Sequence, residues 1–379
     1  MSTILIKNGT LIDGSGSKRY LADILIENEK IKKIGKLDLT ADTVIDASGK
    51  IVSPGFIDTH SHSDLKVLIE PFVEPKIRQG ITTEILGQDG ISMAPLPEEY
   101  VSSWRKNLAG LDGDSDELKW NWKNTDGYLN LISKTGSGPN ELYLVPHGNI
   151  RMEAMGLEAR VATKEELEKM KEITRREMEA GVAGLSTGLI YIPCAYAETE
   201  ELIEICKVAA EYGRPLVIHQ RSEADTMLES MQEVIRIAKE SGVKIHFSHF
   251  KICGQKNWKL IEPVIALLDK CKEEGINVSY DQYPYVAGST MLGVILPPWA
   301  HAGGTDKLIE RLKDKSLREK MKEDIIKGIP GWDNFIDFAG FDGIYVTSVK
   351  TDKNQDCIGK NLTEIAEMRG KEKFDAVFD

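Results

Sequence analysis

Two histidines one residue apart, His60 and His62, stand in Gly55-Phe-Ile-Asp-Thr-His-Ser-His-Ser-Asp64, after an apolar run that includes Ile51, Val52, Phe56 and Ile57. Residues i and i+2 of a strand point to one side, so both rings can converge on one point. Neutral imidazole is a favoured ligand for zinc-like ions. Two more of the seven histidines, His219 and His249, also close apolar strand-like runs. The alternative for each ring is a solvated or core histidine, and His-x-His alone does not decide between them. Four rings at strand ends favour a catalytic metal centre, where a bound ion lowers the pKa of water and polarises a carbonyl.

The elements that must hold these rings follow from periodicity. Residues 1–51 read as β structure. Ile4 and Ile6 alternate with Thr10 and Ile12 around a turn at Asn8-Gly9, and strands follow at 23–27, 30–35 and 43–46. Short strands at close spacing predict a partial β-sandwich subdomain or small antiparallel sheet. From about residue 52, strands alternate with helices. Thr163-x-x-Glu166 is a capping box that opens a helix over 163–180, with Gly181 just past its end. Further helices over 199–213, 224–240 and 257–275 each lead into a strand, at 215–219, 243–249 and 276–281. This alternation means a parallel sheet.

Seven strands starting near 52, 82, 142, 182, 215, 243 and 276 predict an α/β fold over 52–379. The expected form is a TIM (β/α)8-type barrel lacking its eighth strand, with the site on the C-terminal face. A doubly wound sheet, with its site at one switch point, is the runner-up. Residues 286–345 interrupt the rhythm, with a charged helix or helix pair over 305–327. This excursion reads either as a lid over the barrel mouth or as a peripheral insertion.

Bulk properties exclude some classes. A net charge of −12 argues against a nucleic-acid surface. No apolar run reaches membrane-spanning length, and the N-terminus lacks the pattern of a secretory signal. Five cysteines (Cys194, Cys206, Cys253, Cys271, Cys357) without paired spacing fit a reducing cytoplasm. None of this fixes an oligomeric state.

The N-terminal β segment leading into Pro54-Gly-Phe-Ile-Asp-Thr-His-Ser-His resembles the entry to an amidohydrolase barrel. Ser186-Thr-Gly-Leu-Ile-Tyr191, His219-Gln-Arg221-Ser-Glu223, Ser248-His-Phe-Lys251 and Asp281-Gln-Tyr-Pro-Tyr-Val-Ala-Gly-Ser-Thr290 narrow the resemblance. Over essentially the whole chain, it is to the N-acyl-D-amino-acid deacylases, or D-aminoacylases. That resemblance implies metal-dependent hydrolysis of the amide bond of a small N-acylated D-amino acid. It implies one or two divalent ions, zinc foremost, with manganese or cobalt as alternatives. His60 and His62 would hold one ion, and His219 and His249 a second or a shared one. Strand four ends Leu185-Ser-Thr-Gly-Leu without the bridging lysine of the hydantoinase-like branch. Where D-aminoacylases carry a ligand cysteine in Asn-Cys-Gly, this chain has Gln88-Asp89-Gly90. Asp89 is therefore expected as a ligand. It is a harder donor than a thiolate and can bridge two ions; its alternative is a plain turn residue.

Tyr191, Lys251, Tyr283 and Ser289 match substrate-binding positions of the family. Arg221, two residues past His219, is a further candidate for a substrate carboxylate. The alternative for Arg221 and Lys251 is ion pairing with Glu223 or Asp281. His147 reads as pocket-lining or structural, His246 as facing the helices, and His301 as solvated. Asp64 either orients a ligand or is a solvated loop carboxylate. The family's acid–base aspartate ends strand eight in Gly-Ser-Asp-Gly, a motif this chain lacks. Asp281 belongs to a motif that the family carries in addition. The expectation is a truncated deacylase with no catalytic aspartate within residue 379 and little or no activity. A dipeptidase or other deacylase of the superfamily, and a non-catalytic metal-binding remnant, are the alternatives.

Overall fold

The computed structural model describes residues 2–379. They form two compact units: residues up to 57 with 79–82, and 58–78 with 83–379.

The first unit holds strands β1 (Thr3–Leu11), β2 (Tyr20–Glu27), β3 (Lys30–Gly35), β4 (Thr43–Asp46) and β5 (Ile51–Val52). The sheet order is β3-β2-β1-β4, with β5 also on β1. β1, β2 and β3 are antiparallel, but β4 and β5 run parallel to β1, so the sheet is mixed rather than antiparallel. The turn expected at Asn8-Gly9 is a bulge inside one continuous strand, with Asn8 at φ 60°. The buried Asp23 carboxylate accepts the Asn8 N–H at 2.8 Å and the Leu37 N–H at 2.9 Å, which holds the extra residue in place.

The larger sheet has β6 (Phe56–Asp58), β7 (Ile81–Leu86), β8 (Asn140–Pro146), β9 (Gly184–Gly188), β10 (Leu216–His219), β11 (Ile245–Phe247) and β12 (Val278–Tyr280). They follow in sequence order from β6 to β12, and β7 to β12 pair in parallel. This is a seven-stranded part of a (β/α)8-type barrel. Its first strand starts at Phe56, not near 52, because Ile51 and Val52 pair with β1. Pro54, which has no N–H to donate, lies between the two strands.

Leu185, Leu216, Ile218, Ile245 and Phe247 pack against helices such as Met227–Ser241 and Ile261–Glu273 in one core. A second core is separate. It joins Ile295, Leu308, Met321 and Ile325 to Leu362 and Phe374. The excursion after β12 therefore packs with the last helices, and its helices Thr305–Lys313 and Lys315–Lys327 bury an apolar face. No helix among the described residues is long and apolar enough to cross a membrane. All five cysteines are free.

The helix expected over 163–180 is Lys164–Glu179, with both capping-box bonds present. Arg160 forks onto Glu166 at 2.7 Å to each oxygen. That pairing, with the Thr163 N–H, lowers the Glu166 pKa to about 2. The folded value lies below the unfolded one, so the stabilisation is present above about pH 4.5 and disappears as pH falls through about 2. Glu166→Gln should cost about 1 kcal/mol in urea unfolding at pH 7 and clearly less at pH 2, where the carboxyl is partly protonated. An equal cost at both pH values would contradict the capping account.

Candidate metal centre

His60 and His62 follow β6. The Asp58 carboxylate accepts the His60 N–H at 3.2 Å. The intervening Ser61 turns the other way, its hydroxyl donating to the buried Glu84 at 3.0 Å. The two imidazoles come together, ring centroids 5.2 Å apart, on a segment that has already left the strand. Asp89 sits in the turn after β7, where Gly87, Asp89 and Gly90 all have positive φ. A Cβ on Gly87 would come within 2.1 Å of the Leu144 carbonyl oxygen, so only glycine lets the turn lie on β8. Aspartate tolerates the left-handed region better than most residues. His219 ends β10. His249 lies two residues past β11 at φ 36°.

These five side chains meet around Asp89. Its Oδ2 lies 3.3 Å from His62 Nε2 and 3.5 Å from His60 Nε2, and its Oδ1 lies 3.5 Å from His249 Nε2. His249 Nε2 is 3.0 Å from His219 Nδ1. Two donor triads thus overlap at one carboxylate: His60, His62 and Asp89, and Asp89, His219 and His249. His60 Nδ1, His62 Nδ1, Asp89 Oδ1 and His219 Nε2 are buried without a hydrogen-bond partner. Of these, Asp89 Oδ1 faces His249 Nε2 at 3.5 Å, and buried unpaired donors within a histidine and carboxylate cluster are what a divalent ion would satisfy. Imidazole with carboxylate suits zinc, cobalt or manganese. The residues fit a metal centre.

Without an ion, the carboxylates favour protonated rings, so an ion would displace protons on binding. Burial would lower the His62 pKa, but Asp112 and Asp89 raise it to about 10. Burial would likewise lower His249, but Glu223 and Asp89 bring it to about 9. His219 is pushed down to about 4 by burial. Asp89, despite burial, is held well below the carboxylate range by His60 and His249.

Outer carboxylates complete the arrangement. Asp112 Oδ1 stands 3.4 Å from His62 Nδ1, and Glu223 Oε1 stands 3.1 Å from His249 Nδ1. A carboxylate on the far nitrogen fixes a ligand's tautomer and orientation. Asp64 is not a solvated loop residue. It is 1% exposed and accepts the Gly87 N–H at 2.8 Å and the Ser92 hydroxyl, bracing the Asp89 turn. Burial and the nearby Asp112 raise its pKa to about 7. Sequence reasoning missed Asp112, which stands in an acidic loop with nothing to distinguish it. Glu223 had a signal: it lies four residues past His219.

The other candidates divide. Lys251 Nζ contacts Glu223 Oε2 at 2.7 Å and lies 5.5 Å from the Tyr283 ring centroid. It borders the His249 side of the centre. Tyr191 packs its ring 5.6 Å from His219 and meets Thr290 Oγ1 at 2.8 Å. Ser289 is exposed. Arg221 is engaged elsewhere. Its guanidinium forks onto Glu233 and the carbonyls of Ala195 and Ala197, not onto Glu223 or Asp281. His147 is structural, buried between Thr187 and Glu201. His301 is half-buried on the Gly293 carbonyl rather than solvated.

His246 does not face the helices. Ile245 and Phe247 do, and His246 bonds Ser279 and Asp281 at 2.8 Å each. The parity argument fails because His249 lies past the strand with a left-handed backbone. Asp281 also accepts from the His249 N–H at 2.5 Å and from Thr59 at 3.2 Å.

Comparison with known proteins agrees with this geometry. A model of the amidohydrolase family matches residues 43–264. The chain is 37% identical over 290 residues to the D-aminoacylase of Alcaligenes xylosoxydans xylosoxydans, and 36% identical to that organism's N-acyl-D-glutamate deacylase. Each match covers 76% of this chain and spans 58% of the relative's length. Among solved structures, the N-acyl-D-glutamate deacylase of Bordetella bronchiseptica, complexed with zinc and a phosphonate mimic of the tetrahedral intermediate, superposes with a TM-score of 0.80 at 31% identity. That match covers 99% of this chain and 69% of the other. A D-aminoacylase superposes with a TM-score of 0.77 at 30% identity over the same shares. With histidine pairs at the ends of its strands and a model matching more than half its length, the chain belongs to the amidohydrolase family and, within it, is D-aminoacylase-like.

Proposed function

We propose that this chain carries the machinery for metal-dependent hydrolysis of the amide bond of N-acyl-D-amino acids, to a carboxylate and a D-amino acid. The observation that carries the reading is Asp89 placed between two histidine pairs, one oxygen toward each. His60, His62, Asp89, His219 and His249 would hold one or two zinc ions, or manganese or cobalt. A bound divalent ion supplies a lowered pKa for water and a polarised amide carbonyl.

The rest of the chemistry belongs to the side chains. Lys251 offers a cation for the free carboxylate of the substrate, with Tyr283 beside it and Ser289 as a hydroxyl donor. Tyr191 walls the pocket against His219. Arg221 braces the 195–197 loop from outside the pocket. Residues 286–345 act as the cover. Proton transfer to the leaving nitrogen is the weak step. Asp281, the carboxylate that follows β12, is held by His246, Thr59 and the His249 N–H. Slow proton transfer by a carboxylate so engaged is part of the proposal.

The test is a panel of N-acetyl-D- and L-amino acids offered to the chain with zinc, cobalt or manganese. Slow, D-selective release of amino acid is expected. Preference for the L series, or no release with any of the three ions, would count against deacylation of D substrates.

A further inference from the structure

We infer that Asp333, supplied from the excursion after β12, is a positioning residue for the metal centre and acts through Glu223. The inference rests on the metal-centre reading above.

Asp333 is 6% exposed and lies 110 positions from Glu223 in sequence. One oxygen accepts the Ser222 hydroxyl at 2.6 Å, and the other accepts the Glu223 backbone N–H at 2.7 Å. The turn after β10 is thereby fixed at the residue whose side chain matters. The Ser222 hydroxyl continues the network, accepting from the Ala224 and Thr226 N–H groups at 3.2 and 3.3 Å. Glu223 then reaches inward, with Oε1 at 3.1 Å from His249 Nδ1 and Oε2 at 2.7 Å from Lys251. With its outer nitrogen held, His249 presents Nε2 toward Asp89. The chain of contacts runs from Asp333 through the Glu223 backbone and carboxylate to the His249 ring.

Side-chain packing across this seam is limited. The buried cores of the excursion and the barrel share no member, and Met291 and Val294 of the excursion reach the barrel core as partly buried residues. Beside Asp333 lies a cavity of about 360 Å³ bordered by Ala224, Asp225, Trp332 and Phe338. Around this turn the hydrogen bonds of Asp333 act together with the Ser222 N–H on the Ser230 hydroxyl and the Cys253 N–H on the Glu223 carbonyl. Without Asp333 the Glu223 N–H loses its partner, and the carboxylate keeps its contacts to His249 and Lys251 on a less firmly held backbone. Asp333 also lies outside residues 43–264, which the family model matches.

The test is zinc affinity, measured on the chelator-stripped full chain by competition with a chromophoric chelator. Asp333→Ala and Glu223→Gln should each weaken zinc binding by about 10- to 100-fold, the usual effect of losing a partner of a ligand. Because both act on one ring, the double variant should bind zinc no more weakly than Glu223→Gln alone. Should Asp333→Ala fail to fold, Asp333→Asn keeps the volume and one acceptor, and a smaller loss of the same kind is expected. Wild-type affinity in the variant that folds, or fully additive losses in the double variant, would overturn the role of Asp333. A wild-type chain that takes up no zinc would overturn the metal reading together with it. Neither measurement uses substrate, so the outcome is separate from whether D substrates are hydrolysed.

Discussion

Asp89→Ala is expected to leave the purified chain depleted of metal. Asp89 offers the carboxylate shared by the His60–His62 and the His219–His249 triads, so its loss takes from each pair the anionic donor that lies between them. Two neutral imidazoles hold a divalent ion far more weakly than a set that includes a charge. Affinity should fall by more than the roughly 10- to 100-fold of losing an outer partner. His62 and His249, freed of Asp89, would keep only Asp112 and Glu223 beside them. Elemental analysis of wild type and variant after the same dialysis checks this, and equal stoichiometry would remove Asp89 from the site. Asp89→Cys is the informative companion. A thiolate keeps the charge but is softer, so the variant should retain metal and favour zinc over manganese more strongly than wild type does.

The second large effect is structural and lies behind the centre. Glu201 is buried and bonds both His147 Nε2 at 2.8 Å and Arg151 Nη1 at 2.5 Å, with Arg151 itself fully buried. Although burial opposes it, Cys194 and Glu201 raise the His147 pKa to about 9, and the permanently charged Arg151 shares the Glu201 carboxylate. Glu201→Ala leaves the buried Arg151 guanidinium without that carboxylate, and a loss of about 3–5 kcal/mol in urea unfolding at pH 7 is expected. Glu201→Gln keeps hydrogen-bonding capacity without charge and should fall between. A Glu201→Ala chain within about 1 kcal/mol of wild type would show that the cluster relaxes or hydrates instead.

Much of this site was legible in the linear chain, for identifiable reasons. His60 and His62 are two apart just past a strand end, and their rings do come together, although the segment that carries them is no longer strand. His219 closes β10, and helix-to-strand alternation around it follows from capping residues and glycines. Asp89 was legible only by its position in a family motif; by itself Asp-Gly reads as a turn, which it also is. What escaped depends on the path of the backbone off the strands. The left-handed residue at His249 reverses the side on which that ring emerges, so counting parity from His246 misassigned the latter. Asp112 reaches His62 from a loop whose course no periodicity dictates. Asp64 looked like a surface carboxylate because burial of a charge depends on partners, here Gly87 and Ser92, that lie 23 and 28 positions away. The partner of Arg221 was misplaced for the same reason, since Glu233 lies on the following helix.

The two separate cores have a consequence for how such a molecule can change over generations. Side chains that fill the barrel interior are not the ones that fill the layer built from the excursion and the last helices. Drift in one layer meets the other mainly where Met291 and Val294 reach the barrel core. A lineage can therefore reshape much of the excursion while the histidine cluster at the strand ends keeps its setting. The coupling that survives such drift is carried by a few polar tethers. Asp333 is one of them, joining the excursion to the turn after β10 through Ser222 and the Glu223 N–H.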